Sequence, residues 1–324
     1  MENSAAKAPM GTAMTGAAII GLLVGGLCFV TLRAHNSVNP EVKAGDFERA
    51  LRDARDILSR QDPYRYPPGP YAIPYPLPAA LLAMPLTRLP DVLAGAIFFG
   101  VSTMLLAFGM IRRGEEWRLA MLLSWSFAYA FLWVQWTPLI CALWFLPAVG
   151  VAMLVKPHIA LPVLLAGRSP REWKWLALPA LLLAASLVLY PTWPWVWLKQ
   201  TTSYQGILPP IFAMPLGPVV LLALVNWRDR RAWLIILLAA MPQRMVYDQL
   251  PLMLAADNRK QLWFLIAMSW VNCLVFFRSD GWGAVPMGWQ NFIVATLYLP
   301  AVAVVAWPKL REIHAWPRAS IIKA

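Results

Sequence analysis

The stretch MTGAAIIGLLVGGLCFVTL, residues 14–32, carries no charged side chain. A helix needs about 20 apolar residues to cross roughly 30 Å of hydrocarbon, so this segment is long enough to span a bilayer. The rest of the chain has the same character. Of its 324 residues 60% are apolar and 14% charged, where a soluble chain would carry about 25% charged. The short alternating segments of a membrane β-barrel do not occur. The sequence therefore predicts an all-α, polytopic membrane protein. The first span lacks a strongly basic leader and a small-residue cleavage site, so a retained anchor is expected.

Working outward, residues 33–74 form a long loop, and residues 75–89, broken by Pro76, Pro78 and Pro85 and followed by Pro90, read as a short helix dipping into the membrane. Further spans are expected at about Asp91–Ile111 and Trp117–Trp136, with a broken passage over 138–167 and another span at 175–190. An aromatic outer loop to about Gly206 follows, then a return at 211–226. A hairpin of two short helices is expected over 232–256, and the last spans at 261–277 and 290–307. This gives about 8–10 spans in a single domain, 1–324, with a structured first outer loop. No internal repeat is visible, which weakens a transporter built from duplicated halves.

The net charge of +12 is placed as topology. Arg112, Arg113 and Arg118 cluster in one loop. Arg168, Arg171 and Lys174 form a second cluster, Arg228, Arg230 and Arg231 a third, and Arg259 with Lys260 a fourth. Lys309, Arg311, Arg318 and Lys323 lie in the C-terminal tail. Loops rich in Lys and Arg face the cytoplasm, so these clusters are expected inside and the loop after the first span outside. That loop's own Lys and Arg residues, eight if Arg88 is included, count against this orientation; seven acids from Glu41 to Asp91 nearly cancel their charge, but only the Lys/Arg bias sets orientation. No basic run with interleaved aromatics points to nucleic acid. The cysteines Cys28, Cys141 and Cys273 lie in apolar runs without metal spacing and read as small buried hydrophobes. Phosphate-binding glycine loops, zinc-type His/Glu motifs and nucleophile elbows are absent.

The loop after the first span holds the first candidate site. Gly45-Asp46-Phe47 opens a segment whose Phe47, Leu51, Ala54, Ile57 and Leu58 follow helical spacing. Asp46 reads as an N-cap, as a general base at the membrane face, or as both. Glu48/Arg52, Arg49/Asp53 and Arg52/Asp56 read as surface ion pairs at four-residue spacing. Gln61-Asp62-Pro63-Tyr64 follows, with Asp62 a turn starter or a second carboxylate candidate. The chain re-enters apolar sequence through Tyr71-Ala72-Ile73-Pro74-Tyr75-Pro76.

Two further constellations lie downstream. Lys156-Pro157-His158 interrupts an apolar run, where an ionisable group is functional by default unless it snorkels to the boundary. Proline there frees backbone groups to line a cavity. Arg244, Tyr247 and Asp248 form the other; Arg244 and Asp248 either pair on one helix face or bind phosphate and a sugar hydroxyl. Gln135 ends a span as a site residue or an interfacial one. Trp193, Trp195, Trp197, Trp282 and Trp289 read as an interfacial belt or as a platform for sugar rings or a prenyl chain.

Taken in order, these residues resemble the polyprenol-phosphate-sugar-dependent glycosyltransferases of the C-type (GT-C) superfamily. The likeness is closest to the bacterial alpha-mannosyltransferases that extend phosphatidylinositol mannosides. The matches are Asp46-Phe47, Gln61-Asp62-Pro63-Tyr64, Tyr75-Pro76, Val134-Gln135, Lys156-Pro157-His158 and Tyr247-Asp248. Valine stands at 134 where that family has glycine, histidine at 158 where it has glutamine, and the interval from Gln135 to Lys156 is shorter.

The resemblance implies a multi-pass enzyme of the bacterial inner membrane with an extracytoplasmic site. It would move a sugar, mannose first among candidates, from polyprenyl phosphate to a glycolipid or glycan hydroxyl with inversion. Asp46 would be the base. Lys156, His158 or Arg244 would stabilise the phosphate leaving group, and Gln135, Asp62, Tyr64, Tyr75, Tyr247 and Asp248 would complete substrate binding. Membrane lipids are the surroundings; no cofactor, metal or nucleotide sugar is implied. A lipid or polyprenyl-sugar carrier without chemistry, or an inactive membrane subunit related to such enzymes, are the alternatives.

Overall fold

The computed structural model describes residues 8–65, 74–167, 174–202, 209–242, 246–278 and 288–321. Among them every regular element is helical. Three helical stretches are long and apolar enough to cross a membrane: Met10–Val38, Asp91–Arg112 and Gln290–Arg311. A fourth passage results if Lys174–Leu189 and Trp193–Thr201, bent by 96° against each other, count as one. The chain packs as two compact units. One comprises residues 1–119 and 128–206, the other 120–127 and 207–324.

The first unit is founded on a hairpin of α1 (Met10–Val38) and α4 (Asp91–Arg112), about 43 and 33 Å long at 1.5 Å per residue. The two run antiparallel and touch through glycine. A Cβ on Gly100 would stand 2.8 Å from the Gly21 carbonyl oxygen and 3.0 Å from the Gly25 Cα. Small residues spaced by four let helix backbones meet in this way. Between these helices lie α2 (Phe47–Leu58) and α3 (Leu77–Ala83), the latter extended by a 3-10 turn, Met84–Leu86. Arg55 fixes α2 to the start of α4 through Asp91 at 2.6 Å and the Thr87 carbonyl at 3.1 Å. At the far end of the hairpin Arg112 donates to the Ala8 carbonyl at 2.8 Å.

The apolar stretch Trp117–Trp136 is not one span. It divides into a 3-10 segment, Glu116–Leu123, and α5 (Trp125–Leu132). The expected break in 138–167 is present. The run folds as α6 (Thr137–Ala142), a 3-10 segment Pro147–Leu154 and α7 (Pro157–Gly167). α8 (Ala177–Leu189) follows.

The tryptophan-rich stretch expected as a loop is a helix, α9 (Trp193–Thr202). Trp193 is buried and donates to Ser186 Oγ at 3.1 Å. Trp197 donates to the Pro74 carbonyl at 2.9 Å, and Gln200 to the Tyr64 carbonyl at 2.9 Å. α9 thus fastens both ends of the segment that joins α2 to α3, and of its three tryptophans only Trp195 is strongly exposed.

The second unit contains α10 (Arg230–Ala240), α11 (Arg259–Arg278), α12 (Gly288–Ile293) and α13 (Leu299–Ile321). A π-helical turn, Val294–Tyr298, joins the last two. Asp229 caps α10 by accepting from the Arg231 N–H at 2.8 Å, and the Arg231 guanidinium closes on the same carboxylate. The expected hairpin over 232–256 is two short helices, α10 and the 3-10 segment Val246–Ala255, packed on each other. The three cysteines are free and buried, as read from the sequence.

Candidate functional site

Asp46 is placed by its backbone. Asn36, in the last turns of α1, accepts from the Lys43 N–H at 2.7 Å and donates to the Lys43 carbonyl at 2.9 Å. This closes the turn after α1. Gly45 then takes φ +60, and the Asp46 N–H donates to the Trp133 carbonyl at 2.9 Å. Phe47 anchors the other side: its ring stacks on Phe98 at 4.0 Å and meets Trp136 at 5.5 Å. Phe98 lies two turns into α4, so Asp46 sits close to the end of an apolar helix. Asp46 does precede α2, but its carboxylate makes no cap bond; its backbone is already α-helical, with φ −69 and ψ −19.

The carboxylate turns instead toward α5 and α6. Gln135 Nε2 donates to Asp46 Oδ2, and Lys156 Nζ donates to Gln135 Oε1 at 2.7 Å. Gln135 is fully buried, Lys156 is 8% exposed and Asp46 is half-buried. The pairing leaves the amide one orientation, since its oxygen only accepts and its nitrogen only donates. Both bonds have one charged partner and belong to the stronger class. Lys156 holds its position because it opens α7, accepting from the Ile159 and Ala160 N–H groups at 3.1 and 2.9 Å. Pro157 at the first helical position gives up no bond there.

No family model, no curated protein and no solved structure matches this chain.

The aromatic members gather on the same site. Tyr75 is buried, with Lys156 Nζ 6.0 Å from its ring centroid and the Trp136 ring at 6.0 Å. Tyr64 is buried and donates to the Tyr75 carbonyl at 3.1 Å. Asp62 stands apart. It is exposed and accepts from the Tyr64 N–H at 2.8 Å, the turn-starting role, while its side chain also reaches Tyr190. His158, half-buried, follows Lys156 on the first turn of α7. Tyr247 and Asp248 belong to the second unit, both buried in the 3-10 segment Val246–Ala255. Arg244, Trp282 and residues 66–73 lie outside the described residues.

Sequence reasoning missed three members. Tyr129 on α5 is buried within electrostatic range of Asp46. Asp53 and Asp56 read from the sequence as members of surface ion pairs, but both are buried, at 6% and 5% exposure. Arg52 meets Asp53 at 3.1 Å, and Arg65 meets Asp56 at 2.8 Å. Burial pushes the Asp53 carboxyl up to about 7; the Arg52 guanidinium opposes this, and the neighbouring Asp56 and Glu48 charges add to it. Burial also raises the Tyr64 phenol, with the Asp53 charge the next cause. The available signal was position: Asp53 stands three residues after Ala50 and next to Ala54, on the face that α2 buries. Among the described residues no group of three or more His, Cys, Asp or Glu is arranged to hold a metal ion.

The arrangement puts a carboxylate and an ammonium at the two ends of one buried amide, roofed by Tyr75. A carboxylate can take a proton from a hydroxyl, and a desolvated ammonium can hold an anionic leaving group.

Proposed function

We propose that this chain is a membrane glycosyltransferase that moves a sugar from polyprenyl phosphate to an extracytoplasmic hydroxyl. The observation that carries the reading is the chain of bonds Asp46–Gln135–Lys156. It joins three residues taken separately from the sequence, at 46, 135 and 156, into one buried group.

In this mechanism the acceptor hydroxyl oxygen bonds to the anomeric carbon from the face opposite the phosphate. Its proton passes to the Asp46 carboxylate. The bond from the anomeric carbon to the phosphate oxygen breaks, and its electron pair leaves on the polyprenyl phosphate, whose added charge Lys156 stabilises. The result is inversion. Mannose is the first donor sugar to test, and a glycolipid or glycan is the acceptor class.

The hairpin has two distinct ends. Arg112 and Arg113 close one end of α4, and Asp46 lies toward the other. The other Lys/Arg clusters support an arginine end in the cytoplasm and a site outside, against the Lys and Arg residues of the loop after α1; the inner membrane of a bacterium is the proposed location. The shorter apolar helices then pair as broken passages, giving about 8–10 spans in all.

The test is sugar transfer by purified protein in lipid, with polyprenyl-phosphate-mannose and a mixed acceptor extract. Wild type is compared with Asp46→Asn, both checked by gel filtration. Transfer by wild type and none by the variant is the expected result. Equal transfer by both would move the base to Asp62 or Asp248. Absence of transfer from a series of polyprenyl sugars would overturn the enzyme reading and favour a carrier or an inactive subunit.

A further inference from the structure

Gln135 does more than fill the space between two site residues. Its amide holds Asp46 Oδ2, one of the two carboxylate oxygens that a base has to offer an incoming hydroxyl. Its carbonyl occupies a donor of Lys156 that an anion would use. It is fully buried, so neither end can exchange its partner for water. The two engagements are therefore linked: the amide cannot turn without breaking both.

We infer that Gln135 is a positioning residue that keeps Asp46 engaged until the phosphate of the donor binds Lys156. This rests on the proposed function for its choice of anion, a prenyl monophosphate. A phosphate oxygen carries charge and is a stronger acceptor for an ammonium than an amide carbonyl. On binding, it draws Lys156 Nζ away from Gln135 Oε1. Leaving a fully buried carbonyl unpaired is costly, so the amide turns toward other donors and its Nε2 leaves Asp46. The base is released only with the donor in place, which withholds it from water when the donor is absent.

Linkage makes the effect measurable without any transfer. If phosphate at Lys156 weakens the hold on Asp46, then the Asp46 charge, through Gln135, must weaken phosphate binding by the same factor. The experiment is a double-mutant cycle on the affinity of farnesyl phosphate for the full chain in lipid nanodiscs. Four proteins enter it: wild type, Asp46→Asn, Gln135→Leu, and the double variant. A second cycle replaces Gln135→Leu by Gln135→Asn, which keeps the amide but is too short to span both partners.

Asp46→Asn removes the charge-assisted bond, so it tightens farnesyl phosphate by about fivefold where Gln135 is present, the low end of typical coupling. In both Gln135 variants the same change alters affinity by less than about twofold, the part acting directly through space. Equal tightening in all backgrounds would overturn the inference, as would no tightening in any. Failure to bind farnesyl phosphate at all would overturn it as well. Sugar transfer without coupling would leave the enzyme reading intact and remove this one. Coupling without transfer would keep Gln135 in its role and leave the chain a carrier.

Discussion

Gly45 lies so close to Trp133 that a Cβ added to it would stand 2.6 Å from the Trp133 carbonyl oxygen. That carbonyl also accepts the Asp46 N–H. One peptide of the stretch leading out of α5 thus receives the turn that carries the candidate base. Gly45 is fixed by two demands at once, a φ of +60 and the absence of a side chain. Gly45→Ala therefore costs roughly 2 kcal/mol or more and displaces Asp46 from Gln135. The check is a lowered midpoint in thermal unfolding, together with loss of farnesyl phosphate coupling.

Val134 stands beside this contact with φ +48, a conformation that a β-branched residue rarely adopts. Its side chain is fully buried, so strain and packing oppose each other there. Val134→Ala loses the packing and keeps most of the strain, while Val134→Gly loses both. The glycine variant is expected to be more stable than the alanine variant by about 1 kcal/mol, the reverse of their order in a helix. Unfolding of the two side by side decides it; alanine above glycine would mean that backbone strain at 134 does not set the order.

Asp53 makes stability depend on pH. Its carboxyl is pushed up to about 7 from an ordinary value of 3.8, burial being the main cause. The folded state therefore holds a proton that the unfolded chain releases above about pH 4. The stabilisation is fully present below the unfolded value and is lost as pH rises through 7. Between pH 5 and 8 the loss is on the order of 3 kcal/mol at most. Asp53→Asn removes that slope. Thermal midpoints at pH 5, 6, 7 and 8 test it; parallel curves for wild type and variant would sink the assignment.

Gly100 and Gly26 form a matched pair on the hairpin. An added methyl at Gly100 meets backbone of α1 on two sides, whereas at Gly26 nothing lies within 4 Å. Gly100→Ala must push the helices apart and is expected to cost about 1–3 kcal/mol. Gly26→Ala is expected to be neutral or slightly stabilising, since alanine favours the helix. Similar losses in both would show that the close approach of α1 and α4 contributes little.

What was legible in the sequence follows a physical line. α1, α4 and α2 were readable because one strong periodicity or apolar run decides each of them locally. The start of α7 was readable because Lys156-Pro157 is a local breaker. The split of 117–136 into a 3-10 segment and α5 was not, because an uninterrupted apolar run has the same composition whether it is one helix or two. The Asp46 cap was over-read. A carboxylate before a helix favours capping in isolation, and only the arrival of Gln135, 89 positions later, gives it a better partner. Asp53 and Asp56 were misplaced for the related reason that burial of α2's charged residues is decided by α3 and α4. The joining of Asp46, Gln135 and Lys156 was expected only from a likeness, since spacing of 89 and 21 residues carries no geometry by itself.

Gln249 gives the last test, in the second unit. It is fully buried, and neither its side-chain oxygen nor its nitrogen has a hydrogen-bond partner among the described residues. The Tyr298 hydroxyl, in the π-helical turn of the same unit, is in the same condition. A buried amide without partners costs about 1–3 kcal/mol, and replacing it by an apolar side chain of similar volume removes that cost. Gln249→Met is therefore expected to raise the thermal midpoint, and Tyr298→Phe to raise it less, because one hydroxyl is involved rather than two polar atoms. The pair is additive if each group sits in its own apolar surroundings. A fall in midpoint for Gln249→Met would mean that the amide has a partner in the folded protein. A double variant more stable than Gln249→Met alone would then place that partner at Tyr298, since replacing both groups leaves neither unpaired.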